Sequence, residues 1–399
     1  MDLLKNIDAL LITNPTNIRY LTGFVGAAPE EREAYCLLTN SQTYLFINAL
    51  YTEYANTLVS PSKQGSNNPI IQFSNNPIKI VKISRGEPFA KKLGDVLKRS
   101  HLAKPQGETL KGIRLGFEES NLTVAEFEKL KKELPGITLV PTQNRIEELR
   151  MIKRDDEIEN IRQAAKITDQ CFTYLTTILK PRVTELEIAW KIESFIRSRG
   201  AGLAFSPIVA FGSNTSQPHY SPKSSLKRSH LLRLKNQDIV LLDFGAKING
   251  YCSDMTRMVF IGKPEAEWVN AYETVSRAQT MALEYLASRP GLEATGDKVD
   301  QIARDIIENA GFPTYPHSLG HGVGLDIHEA PRLRTNPSIN SEQPVTSRAS
   351  QRLMPGMVVT VEPGIYIEGQ YGVRLEDLIL LKEDGIELLS KSNKHITIL

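Results

Sequence analysis

The stretch IVLLDFGAKINGYCSDMTRM runs from Ile239 to Met258. An apolar run of β-branched residues and leucines carries Asp243. A short polar turn follows, and a second extended run carries Asp254. Carboxylates are rarely buried unless paired or bound to a metal. Two of them inside a core hairpin therefore call for a cation. Cross-strand partners in a hairpin share a constant sum of residue numbers, and Asp243 and Asp254 are symmetric about Ile248–Asn249 in the turn KING. This register predicts that they face each other, about 4.5–5.5 Å apart at Cβ.

A second hairpin repeats the pattern. Glu362 and Glu376 are symmetric about Gly369 in the turn EGQYG. Acidic cross-strand pairs are destabilising alone, so four such residues need counter-charge. His321, in LGHGVG, supplies a nitrogen ligand among glycines that let other backbone approach. Two aspartates, two glutamates and one histidine offer mostly oxygen with one imidazole. That set favours manganese, cobalt, ferrous iron or zinc over calcium, and no thiolate is present to select a structural zinc. A two-metal site would hold its ions roughly 3.5–4 Å apart and share a bridging water.

Length and composition set the frame. A chain of 399 residues is long enough for two domains. A net charge of +2 gives no footprint for a nucleic-acid binder. The three cysteines, Cys36, Cys171 and Cys252, are scattered, which suits reduced thiols in a cytoplasmic protein. The first residues carry no secretory signal pattern. No apolar run reaches the roughly 18 residues of a membrane span.

Up to about residue 145, strands and helices alternate, which argues an α/β layer domain. Strands are expected at Ile7–Thr13, Tyr35–Thr39, Thr43–Ile47 and Ile113–Glu119, and helices at Ala49–Leu58, Pro88–Arg99 and Thr123–Leu134, the last opened by a capping-box pattern. The Ser- and Asn-rich stretch 60–77 reads as an exposed loop. A charged segment with apolar residues at helical spacing then leads into a long helix beginning near Arg154. Helices are expected at about 155–179, 184–199, 265–288 and 296–310. A helix–helix–strand order thus occurs twice.

At this point the motifs carry a resemblance. DFGAKINGYCSDMTR, HSLGHGVGLDIHE, VTVEPGIY and VRLED resemble the signature segments of the pita-bread metallopeptidases, within them the Xaa-Pro aminopeptidase and prolidase group. NPTNIRYLTGF resembles the start of the creatinase/prolidase amino-terminal domain. The resemblance implies an α+β chain: a creatinase-type domain over 1–147 and a pita-bread catalytic domain over 148–399. It implies Asp243 on one metal, Asp254 and Glu376 bridging two, and His321 and Glu362 on the other, with Mn2+ ahead of Co2+, Zn2+ or Fe2+. Glu362 would also act as general base. His219 and His328 would contact the substrate, His328 in an oxyanion-hole role. His317 would line the pocket, with Tyr366 beside the site, and Arg374 would hold carboxylates in place on the substrate side. Substrates would be proline-containing peptides, and the resemblance implies a homodimer.

Other residues take plainer readings. Cys252 reads as packing, His230 as solvated and Arg332 as an exposed loop arginine, although it could offer counter-charge to a dipeptide's carboxylate. The chain between Pro331 and Met354 is longer than the resemblance leads one to expect, and TNPSINSEQPVTSR reads as a surface loop. The expected activity is hydrolysis of an N-terminal Xaa-Pro bond as an aminopeptidase, with Xaa-Pro dipeptidase as the alternative. A metal-free creatinase-like hydrolase and a non-catalytic binding module are the remaining rivals.

Overall fold

The computed structural model describes residues 2–28, 32–58, 78–100, 110–221, 232–288, 294–335 and 352–399. The stretch 60–77, His230 and the polar segment 336–351 lie outside these residues. The chain divides into two compact units, Met1–Arg150 and Met151–Leu399.

The first unit is built on a six-stranded mixed sheet. From edge to edge it runs Ile78–Ile83, Thr43–Asn48, Ala34–Thr39, Ala9–Ile12, Arg114–Glu118 and Thr138–Thr142. Ala9 through Ile12 are all fully buried, as a strand covered on both faces requires. Helices Phe89–Arg99 and Val124–Glu133 cover one face through Ala90, Leu93, Leu97 and Leu130. Thr123 and Glu126 form the capping box that starts the second of these helices. Among its described residues this unit has no histidine.

In the second unit, helices Asp155–Ile178 and Glu185–Ser198 precede an antiparallel sheet of Ile208–Phe211, Asp238–Asp243 and Thr256–Ile261. Helices Ala266–Ala287 and Gly296–Asn309 precede a five-stranded antiparallel sheet. The doubled helix–helix–strand order is thus a feature of the fold. Strand Asp238–Asp243 is buried on both sides. Val240 and Leu242 pack with Leu175, Ile188 and Ile192 of the first helix pair. Ile239 and Leu241 pack with Val275, Ala278 and Val299 of the second. Side chains alternate along a strand, so Asp243 continues the Ile239/Leu241 row and places a carboxylate where the pattern would put a hydrophobe.

The first hairpin corrects the expected register. Asp243 pairs with Thr256, not Asp254, and Ile248 pairs with Tyr251. The turn is Asn249–Gly250, with φ of 47° and 88°. Two left-handed residues suit Asn-Gly, whereas β-branched Ile248 could not enter that region. Asp254 lies in the break between strands Tyr251–Cys252 and Thr256–Ile261. In the second hairpin the register matches the expectation. Gly364 pairs with Arg374 and Val361 with Asp377. Glu362 and Glu376 stand opposite each other at the gap between these two ladders. Their N–H groups turn outward, to Leu319 O at 2.7 Å and to Thr256 O at 3.2 Å.

Candidate metal centre

Asp243, Asp254, His321, Glu362 and Glu376 converge on one pocket of about 520 Å³, which His219, His317, His328, Arg332 and Arg374 also line. The volume is within the range for a small-ligand site.

His321 sits on strand Gly320–Gly322. A Cβ at Gly320 would collide with the Thr360 carbonyl, and one at Gly322 with the Ala330 carbonyl. Glycines on both sides therefore let neighbouring strands close around the histidine. Its Nδ1 lies 3.1 Å from Gly322 O. A carbonyl only accepts, so Nδ1 carries the proton and Nε2 keeps a free lone pair. Nε2 points among the acids, 3.4 Å from Glu362 Oε1 and 3.7 Å from Asp254 Oδ2. Burial pushes the His321 pKa down to about 3, which keeps the ring neutral.

The four carboxylates carry the opposite strain. Burial raises the pKa of each, and mutual repulsion adds to the rise at Asp254 and Glu376. Burial lifts Glu362 to about 8, against the pull of Arg374. Arg374 is the one buried cation facing the group among the described residues. Its Nη2 donates to Asp243 Oδ2 at 2.6 Å and its Nε to Thr256 Oγ1 at 3.0 Å. Thr256 Oγ1 in turn donates to Glu376 Oε2 at 2.8 Å. One guanidinium cannot balance four acids, three of them buried and Glu362 partly so.

Two further observations fit a bound divalent cation. Asp243 Oδ1 and Asp254 Oδ1 are buried without a hydrogen-bond partner. Ligand atoms of Asp254, His321 and Glu376 all lie within 4.8 Å of one another. The chemistry is hard oxygen plus one imidazole, with orphaned lone pairs aimed inward.

The histidines divide into two kinds. His219 and His328 are exposed on the pocket wall, and the His328 ring meets the His321 ring edge-to-face at 4.4 Å. His317 is held from behind. Its Nδ1 lies 2.8 Å from Ser318 O and its Nε2 3.1 Å from Tyr366 Oη. Nδ1 again carries the proton, so Nε2 accepts from the tyrosine, whose oxygen accepts from Arg374 Nη1 at 2.9 Å. Both His317 nitrogens are thus engaged, and the ring offers the pocket an apolar surface. Tyr366 is not in the pocket wall and braces Arg374 and His317 from outside it. Cys252 is fully buried among Ile158, Val358 and Leu378, a packing residue. Arg332 is exposed, but it lies on strand Glu329–Leu333 and lines the pocket rather than a loop.

Sequence reasoning missed the supports of the site. Lys153 Nζ meets Glu329 Oε1 at 2.7 Å in a buried ion pair next to His328. Buried Asp300 accepts from Tyr315 Oη, Arg304 Nε and Thr335 N, and Arg304 Nη2 donates to His317 O at 2.7 Å. A charged residue near a helix start was the only local signal for either.

The model of metallopeptidase family M24 matches residues 159–383, and that of the Creatinase/Prolidase N-terminal domain matches residues 4–152. A Bacillus subtilis protein named "Uncharacterized peptidase YqhT" is 34% identical over 98% of this chain and 96% of its own length. The structure is similar to that of a Xaa-Pro dipeptidase from Bacillus anthracis, with TM-score 0.80 and 33% identity, covering 98% of this chain and 95% of that one. It is also similar to an X-Pro aminopeptidase from Thermotoga maritima, with TM-score 0.77 and 29% identity, covering 98% of each chain. The family model alone spans more than half of the chain. The protein therefore belongs to metallopeptidase family M24, the pita-bread peptidases, and is a metallo-exopeptidase with a creatinase-type amino-terminal domain.

Proposed function

We propose that this chain is a Xaa-Pro dipeptidase that works with two divalent cations, Mn2+ first among them. Asp243, Asp254, His321, Glu362 and Glu376 would hold the ions. When bound, they would supply Lewis acidity and lower the pKa of water. Glu362 takes the proton of the attacking water and returns it to the leaving proline nitrogen. His328 and His219 donate N–H to the scissile carbonyl and hold the substrate over the acids. The proline nitrogen of the substrate has no N–H to satisfy, and the inward-bonded His317 ring gives its pyrrolidine an apolar wall.

The observation that carries the dipeptidase reading is Arg332 in the pocket lining, four residues beyond His328. A dipeptide brings a free carboxylate to that end of the site, and a planar guanidinium is suited to it. The aminopeptidase reading is the second one, supported by the likeness to the Thermotoga enzyme. A homodimer, which rests on the resemblance to the family, and a cytoplasmic setting, which rests on the three scattered cysteines, are part of the proposal.

A length series on the Mn2+-loaded protein tests it. Xaa-Pro dipeptides should be turned over with kcat/KM at least about tenfold above the matching tripeptides, a gap of the size one charge-assisted contact gives. Preference for tripeptides would favour the aminopeptidase. Turnover of neither, with metal shown to be bound, would sink both.

A further inference from the structure

Glu185 is a buried carboxylate that the proposed chemistry does not use. It is the first residue of helix Glu185–Ser198, where the free N–H groups and the helix dipole favour negative charge. Thr184 and Glu187 already cap that helix through their own capping box, so the Glu185 side chain is not needed as a cap. It turns instead toward the segment from Phe211 to Tyr220. Its Oε1 accepts from Phe211 N at 2.8 Å and from Asn214 Nδ2 at 2.9 Å. Its Oε2 accepts from Tyr220 Oη at 2.7 Å. Asn214 Nδ2 also donates to Tyr220 Oη at 2.9 Å, which closes the cluster.

These three anchors stand on both sides of His219. Phe211 ends the strand before it, Asn214 lies in the 3-10 turn Gly212–Ser216, and Tyr220 follows it directly. The opposite side of the segment is fastened by Gly372 N donating to Thr215 Oγ1 at 2.7 Å and by Arg374 Nη1 donating to Pro218 O at 3.3 Å. The second fastening ties the segment to the same arginine that holds Asp243. The His219 ring itself is exposed in the pocket. A side chain on an exposed turn gains a fixed direction only from the backbone beneath it.

We propose that Glu185 is the positioning residue for His219: its carboxylate, through Phe211, Asn214 and Tyr220, sets the turn that aims the histidine at the substrate. This rests on the reading of His219 as a substrate contact. Glu185 touches no substrate and acts only through the turn. Tyr220, which lines the pocket, contributes the phenol that the carboxylate holds.

A double-mutant cycle of Glu185 and His219 tests this on the metal-loaded full chain. Glu185→Ala should lower kcat/KM by about tenfold to a hundredfold, the size of effect a misplacement of about 1 Å produces. In a His219→Ala background the same change should lower it less than about twofold, because the group being aimed is gone. Glu185→Gln keeps the acceptor for Phe211 and Asn214 and should recover most of the activity. Amide hydrogen exchange should rise over residues 211–221 in Glu185→Ala and stay as in the parent elsewhere, a readout independent of turnover. Where Glu185→Ala fails to fold, Tyr220→Phe takes its place in the cycle, with the same expected coupling to His219. If the two losses multiply independently, the positioning role is overturned while His219 keeps its own. If His219→Ala alone leaves turnover unchanged, the reading of His219 falls and the proposal falls with it.

Discussion

Arg374 Nη2 donates to Asp243 Oδ2 at 2.6 Å across a sequence separation of 131 residues, and both side chains are almost wholly buried. The same guanidinium serves Thr256, Tyr366 and Pro218. Arg374→Ala would leave Asp243 as an uncompensated buried charge and should cost roughly 3–5 kcal/mol in chelator-treated protein. Arg374→Lys should recover only part of this, because an ammonium cannot reach four acceptors in one plane. Urea unfolding measures both, and equal stability of the alanine variant and the parent would contradict the relationship.

Orphaned oxygens on Asp243 and Asp254 are places where a cation should add stability. Mn2+ at about a hundred times its dissociation constant should raise Tm by roughly 5–10 °C over chelated protein. Asp254→Ala should remove most of that rise. Calorimetry with and without chelator decides it, and an unchanged Tm on adding Mn2+, Co2+ or Zn2+ would contradict the metal reading.

His317 predicts an acid limb. Burial and the nearby Arg374 push its pKa down to about 4, below the ordinary histidine value of 6.5. The unfolded chain therefore binds the proton more readily than the folded one. The stability this represents is intact above pH 6.5 and is lost as pH falls through 4. The loss is up to roughly 3 kcal/mol, from the size of the shift. His317→Phe keeps a ring against Tyr315 and should flatten this limb in denaturant titrations between pH 7 and 4.

Arg332→Ala should raise KM for Xaa-Pro dipeptides by about tenfold to a hundredfold, the value of a hydrogen bond to a charged group. Amidated dipeptides, which lack the carboxylate, should be affected less than about twofold. Equal effects on both would deny Arg332 the carboxylate.

The fold was legible where periodicity is local. The apolar runs, the capping box at Thr123 and the doubled helix pair could all be read from short windows of sequence. Glu362 and Glu376 stand in the expected register because the turn at Gly369 lies midway between them. The register at Asp243 was misread because KING was centred on Ile248–Asn249, while the backbone turns at Asn249–Gly250. Asp254 reaches the acids from the break after Cys252 and not from a ladder position. The Lys153–Glu329 and Glu185–Tyr220 contacts join residues far apart in sequence, and no local pattern announces a pairing that only the closed core creates. The engagement of both His317 nitrogens depends on Tyr366 and Ser318 together, which composition does not reveal.

The gap at Glu362 and Glu376 interrupts two ladders that share one register. The short turn between them therefore acts as a ruler for the acids. Adding or deleting a single residue between Ile367 and Tyr371 would turn Glu376 to the far face of its strand while leaving composition, charge and core volume almost untouched. Length, rather than residue identity, is therefore what this turn has to keep.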